Sequence, residues 1–224
     1  MKLKIILLSF VLFLVSNELH AQLTFHAYYK FTEVIPNANE PRQYNASILK
    51  NKEYVLYTHK VAPSQMEKEN LSNSKRLVDD SDFEYKIFMT QDKVHIHDLL
   101  QGKDYYIEEE APEITYEFID ETKEFWNKTA HKATTHFRGR DYVIWYEKND
   151  VHISPWKFQG IPGVVLEAYS TDNIFRWSLE RIDTEMKKIK SPFAENLEFL
   201  SCKEYSRLTA KDKNQLEINF ECKD

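Results

Sequence analysis

Beyond residue 22 the chain alternates apolar and polar residues with a period of two over most of its length, and this rhythm restricts it to a sheet. Ile174–Ile182 shows it most cleanly. Phe175, Trp177 and Leu179 mark one face, and Arg176, Ser178 and Glu180 the other. Strands with one wet and one apolar face suit an antiparallel sheet, because doubly wound parallel strands are buried on both faces. Further strands are expected at Leu23–Phe31, Tyr44–Leu49, Tyr54–His59, Phe83–Thr90, Lys93–Asp98, Asp104–Glu109, Ile114–Asp120, Lys132–Arg138, Tyr142–Glu147 and Val164–Ser170. Turns are expected at Gln101-Gly102-Lys103, Asp120-Glu121-Thr122-Lys123, Arg138-Gly139-Arg140-Asp141 and Thr171-Asp172-Asn173. Val61 to Asp82 is polar and without sustained period, so it reads as a long mobile connection or a frayed helix. Ser201-Cys202-Lys203-Glu204 has the form of a capping box and opens a helix expected to run to about Phe220. The expected fold is mostly β: one large curved antiparallel sheet or half-open barrel, with a short helical elbow and a C-terminal helix. A closed sandwich is the alternative.

Residues 1–21 read as a signal peptide. Lys2 and Lys4 precede an apolar run from Ile5 to Val15, and Leu19-His20-Ala21 offers a cleavage site. The run is too short to span a bilayer as a helix. Removing residues 1–21 leaves 28 basic and 35 acidic side chains, a net charge of −7. Nucleic acid is therefore not an expected partner, because phosphate binding needs a clustered basic surface. Residues 22–224 are expected to form one domain, exported to the periplasm or cell envelope, with no stable transmembrane segment after cleavage.

Glycine is scarce. The chain has four, and two of them lie in Gln159-Gly160-Ile161-Pro162-Gly163-Val164. The preceding Ser154-Pro155-Trp156-Lys157-Phe158 has the grammar of a short helical or 3₁₀ turn, with Ser154 as cap, Pro155 at the first position and Gly160 closing it. Ile161-Pro162-Gly163 then suits a type II turn, with Pro162 fixing φ and Gly163 supplying positive φ. Trp156 and Phe158 are the expected anchors of this elbow. The segment lacks the lysine and Ser/Thr of a phosphate loop, and no serine sits between its glycines as in a nucleophile elbow.

These residues carry a resemblance. Lys132-Ala133-Thr134-Thr135-His136-Phe137-Arg138-Gly139-Arg140-Asp141-Tyr142-Val143-Ile144-Trp145-Tyr146, followed by Pro155-Trp156-Lys157-Phe158-Gln159-Gly160-Ile161-Pro162-Gly163-Val164-Val165-Leu166, resembles the GLPGLI family of secreted Bacteroidota-type proteins. The family's Gly-Leu-Pro-Gly-Leu-Ile core reads here Gly-Ile-Pro-Gly-Val-Val, and Ser154 stands where the family usually has a glycine. The resemblance implies an envelope accessory role, because genes of the family often neighbour outer-membrane transport receptors. It implies no catalytic residues, since the family has none agreed.

The remaining chemistry is sparse. His95 and His97 share one strand face and are weak candidates for half of a metal site, with a third ligand needed from His131, His136, His152 or a carboxylate. No cofactor is expected. Cys202 and Cys222 are a candidate disulfide in an oxidising compartment. One straight helix between them would hold the sulfurs about 30 Å apart, so a bridge needs a break near Thr209. All four tryptophans lie between residues 126 and 177. Trp145, Trp156 and Trp177 are read either as tight core or as the lining of an apolar pocket. The leading functional expectation is a non-enzymatic envelope binding or accessory protein. Its partner would be an outer-membrane transport receptor or a hydrophobic small ligand. An envelope hydrolase and a metal-handling protein are the alternatives.

Overall fold

The computed structural model describes residues 23–35, 40–63 and 82–209. The signal segment, most of the Val61–Asp82 connection and Cys222 lie outside the described residues. Twelve strands follow one another: β1 (Leu23–Glu33), β2 (Arg42–Lys50), β3 (Val55–Val61), β4 (Glu84–Met89), β5 (Lys93–Leu100), β6 (Lys103–Glu110), β7 (Glu117–Phe125), β8 (Lys128–Phe137), β9 (Arg140–Lys148), β10 (Gly163–Ser170), β11 (Phe175–Met186) and β12 (Leu200–Ser201). One helix, α1 (Cys202–Thr209), closes the described chain. The strands form one sheet in the order β12-β6-β5-β4-β3-β2-β1-β11-β10-β9-β8-β7. Its pairings are antiparallel except for the short β12–β6 contact. The two end strands do not meet, so the sheet is open.

The sheet curls. β3 and β11 are three strands apart, roughly 14 Å in a flat sheet. Yet the Trp177 indole N–H donates to the Tyr57 hydroxyl at 3.0 Å. Residues opposite each other in an antiparallel pair share a face. The register Trp177↔Phe31↔Tyr44 and Ile144↔Ala168↔Trp177 therefore places these side chains together on the concave side. That side holds the core, with Tyr29, Phe31, Tyr57, Tyr142 and Trp177 all buried.

After β11 the chain crosses to the far end of the sheet. Residues 187–199 pass over the convex side, where Phe193 and Phe199 pack against His95 and Tyr106. β12 then pairs with β6, and α1 turns onto the concave side, where the Tyr205 hydroxyl donates to Asp98 at 2.6 Å. The expected capping box is present: the Ser201 backbone N–H donates to the Glu204 carboxylate at 2.9 Å, and the Glu204 N–H to the Ser201 hydroxyl at 3.3 Å.

Three local expectations are corrected. The elbow contains no helical turn. Trp156 has φ +51°, which breaks a right-handed helix, and its ring is held there by stacking on Trp177. The turn at Ile161-Pro162-Gly163 is a tighter three-residue turn, with the Gly163 N–H donating to the Ile161 carbonyl at 2.9 Å. Finally, Asp120-Glu121-Thr122-Lys123 is not a turn. It lies within β7, at a register shift between Ile119 and Thr122. The reversal comes at Trp126-Asn127, with φ +47° and +63°, the signs of a type I′ hairpin. An edge strand tolerates a polar run that would break a buried one.

Candidate functional site

The elbow fills the middle of the concave side. Ile153 bridges Val164, donating to Gly163 O at 3.0 Å and accepting from the Val165 N–H at 2.8 Å. From there Trp156, Phe158 and Ile161 enter the core with no exposed surface. Trp156 stacks on Trp177 at 5.8 Å and 9°, and Phe158 meets both tryptophans edge-on. Gly160 has φ +98° and lies under the Tyr116 ring. At Gly163 a Cβ would stand 2.0 Å from Glu147 O, so the β9 backbone occupies the space of any side chain. Pro155 is buried at the start of this stretch, whereas Gly160 and Pro162 are exposed.

A charged cluster fastens the elbow from below. Lys157 is fully buried, with its ammonium 2.7 Å from Glu109 Oε1. The Arg138 guanidinium donates to Glu109 Oε2 at 2.6 Å. Cys202 Sγ lies 3.0 Å from the same oxygen, which brings α1 to the cluster. One carboxylate from β6 thus joins the β8–β9 turn, the elbow and the helix. Tyr116 donates to the Gln159 carbonyl at 2.9 Å, and Lys50 to the Gln159 side chain at 3.2 Å. Burial lowers the Lys50 ammonium pKa and raises those of the Tyr29 and Tyr116 hydroxyls.

The three tryptophans do not line a common pocket. Trp145 is opposite Glu167 and Lys132, which puts it on the convex side, away from Trp156 and Trp177. Its ring lies under the Lys123 ammonium at 4.2 Å.

His95 and His97 share the convex face of β5, but each is held by its own carboxylate. His95 Nε2 is 2.8 Å from Glu108, and His97 Nε2 is 2.7 Å from Asp104. Phe199 and Tyr106 stack on the two rings. Among the described residues no group of three His, Cys, Asp or Glu side chains is placed to hold a metal ion. His136 and Asp141 form a third pair, 2.7 Å apart, at an open groove of about 500 Å³ that Thr134 and Thr171 also line. Of the candidate cysteine pair, Cys202 lies on α1 and is disulfide-bonded. Cys222 lies outside the described residues.

His59 is a residue that the sequence reading passed over. The rings of Phe31, Tyr44, Tyr57 and Tyr85 enclose it at 4.5 to 5.6 Å. This enclosure, reinforced by the charge of Arg42, drives its pKa down to about 3. Its place in the stripe Val55, Tyr57, His59, Val61 was the available signal.

No protein-family model matches the chain, and no curated protein matches it. Two crystal forms of PNGF-II are structurally similar. One has a TM-score of 0.52 at 13% identity and covers 86% of this chain and 34% of that chain. The other has 0.50 at 11%, covering 86% and 33%. The chain thus spans about a third of the length of the PNGF-II chains it matches, and at such identity the likeness is one of fold. A LolA superfamily protein of Nitrosomonas europaea gives a TM-score of 0.33 at 8% identity over 75% of this chain and 88% of that one, too low to define a common fold.

Proposed function

We propose that the mature chain is a GLPGLI-type, exported, non-enzymatic binding or accessory protein of the cell envelope, serving an outer-membrane transport system. The observation that supports this most is the filled concave face. The chain's most distinctive residues, Trp156, Phe158, Ile161 and Gly163, close the sheet's interior. They present no reacting group to solvent. A hydrophobic small ligand would have to displace the elbow against the Glu109 cluster, so the reading favours a protein partner met at the outer surface. No helix among the described residues is long and apolar enough to cross a membrane.

The hydrolase alternative has the His136–Asp141 pair beside threonine hydroxyls, and the metal alternative has His95 and His97. Native mass spectrometry of the mature protein isolated from the envelope separates these readings. The proposal expects a stoichiometric complex with an envelope protein. A stoichiometric metal ion or lipid on the chain alone would overturn it. Turnover of simple esters, lost in His136→Ala, would replace it with the hydrolase.

A further inference from the structure

We infer that β7 is a docking edge for an extended, basic segment of a partner protein, which adds to the sheet as one more antiparallel strand; the inference rests on the accessory reading above. The two ends of the sheet differ. At one end β6 is capped by β12, and the chain then folds over as α1. At the other, β7 pairs only with β8 among the described residues, so nine residues present alternate N–H and C=O groups outward. Backbone groups of this kind recruit an added strand.

Two features specify what is recruited. The edge is acidic. Glu117, Asp120 and Glu124 supply the charge of the edge, while Glu121 is paired with Lys132 at 2.6 Å and the Lys123 ammonium is turned inward to Glu167 and the Trp145 ring. A second copy would set like charges opposite one another, which disfavours pairing, and the register shift at Ile119/Thr122 interrupts a flat self-pairing. A lysine- or arginine-bearing strand meets the opposite sign. The edge is also flanked by aromatic surface. Phe118 is 53% exposed, beside Tyr146 on the concave side, and Trp126 is 61% exposed at the hairpin tip. The type I′ turn sets Trp126 at positive φ and leaves its ring outside the core, edge-on to Phe125. Exposed Phe and Trp are frequent anchors of interfaces.

The test uses the full mature chain and a fluorescent nine-residue peptide alternating valine and lysine. The controls are a valine–glutamate peptide and the lysine peptide with a central proline. The lysine peptide is expected to bind saturably and to protect β7 amides from exchange. The glutamate peptide should bind about tenfold more weakly or worse, and the proline peptide should fail to protect the edge. Glu117→Lys with Asp120→Lys should weaken binding about tenfold, and Phe118→Ser should weaken it with the melting temperature unchanged. Equal binding of the proline peptide, or protection elsewhere than β7, overturns the inference. So does a concentration-dependent dimer abolished by Phe118→Ser, which would make the occupant a second copy. A native envelope complex that survives the double charge reversal removes the edge assignment and leaves the accessory reading standing. A wild-type chain with no complex removes the accessory reading, whatever the peptide does.

Discussion

The elbow and the edge strand exchange roles between sequence and structure. The elbow, with its clustered glycines, prolines and aromatics, is the most conspicuous segment of the sequence and is interior. β7, with its run Asp120-Glu121-Thr122-Lys123, looks like a connecting turn and is the most open strand of the sheet. Rare residue types report where the backbone is forced, and forcing here comes from packing. Gly163 is a glycine because the β9 backbone stands where a Cβ would be. β7 has ordinary residues because nothing presses on it, and that openness is what makes it available to a partner.

The comparison predicts a steep gradient of mutational cost. The largest effect is expected at Glu109→Ala, which removes the carboxylate shared by the buried Lys157 ammonium and the Arg138 guanidinium. The loss should be about 3–5 kcal/mol by chemical denaturation, whereas Phe118→Ser on the edge should stay within about 0.5 kcal/mol. Equal costs would erase the distinction. Gly163→Ala comes next. Positive φ and the backbone clash together should cost more than about 2 kcal/mol, and an unchanged melting temperature would rule the tight turn out.

The interior should also respond to pH through His59. Its folded pKa of about 3 lies below the unfolded value of about 6.5. Above pH 6.5 both states are neutral and His59 contributes no pH dependence. Between about 6.5 and about 3 the unfolded chain takes up a proton that the folded chain refuses. Stability therefore falls as pH falls through this window. His59→Phe should flatten that part of the curve relative to wild type; a parallel curve would show that the ring cage does not exclude the proton. The smallest effect belongs to the edge. Trp126→Asn relieves a left-handed tryptophan and should stabilise the hairpin by about 0.4–1 kcal/mol while weakening peptide binding. A destabilised hairpin would mean that the indole's edge contact with Phe125 outweighs the relieved strain.

Much of the sheet was legible because alternation survives wherever one face is buried. Phe175–Leu179 and Lys93–Ile96 read directly, and the glycines at 102 and 139 fall at tight turns with positive φ. β7 was misread because both of its faces are wet and its hairpin lacks a glycine, so Asp120–Lys123 carried the stronger turn signal. The elbow had correct helix punctuation in Ser154, Pro155 and Gly160, but the stack of Trp156 on Trp177 overrode it. That contact joins separate elements, and no local pattern announces it. The meeting of Glu109 with Lys157 is equally non-local, and Glu108-Glu109-Glu110 gave no sign of which carboxylate turns inward.

Native-state amide exchange tests the central claim most directly, namely that the elbow is a permanent part of the core and the open edge is not. The Ile153, Gly163 and Val165 amides, hydrogen-bonded within the elbow and at its junction with β10, should exchange only through global unfolding, as slowly as those of β1 and β11. The outward amides of β7 should exchange orders of magnitude faster. If the elbow amides exchange well ahead of the core strands, the elbow opens in the native state, and the concave side becomes a ligand cavity with a lid.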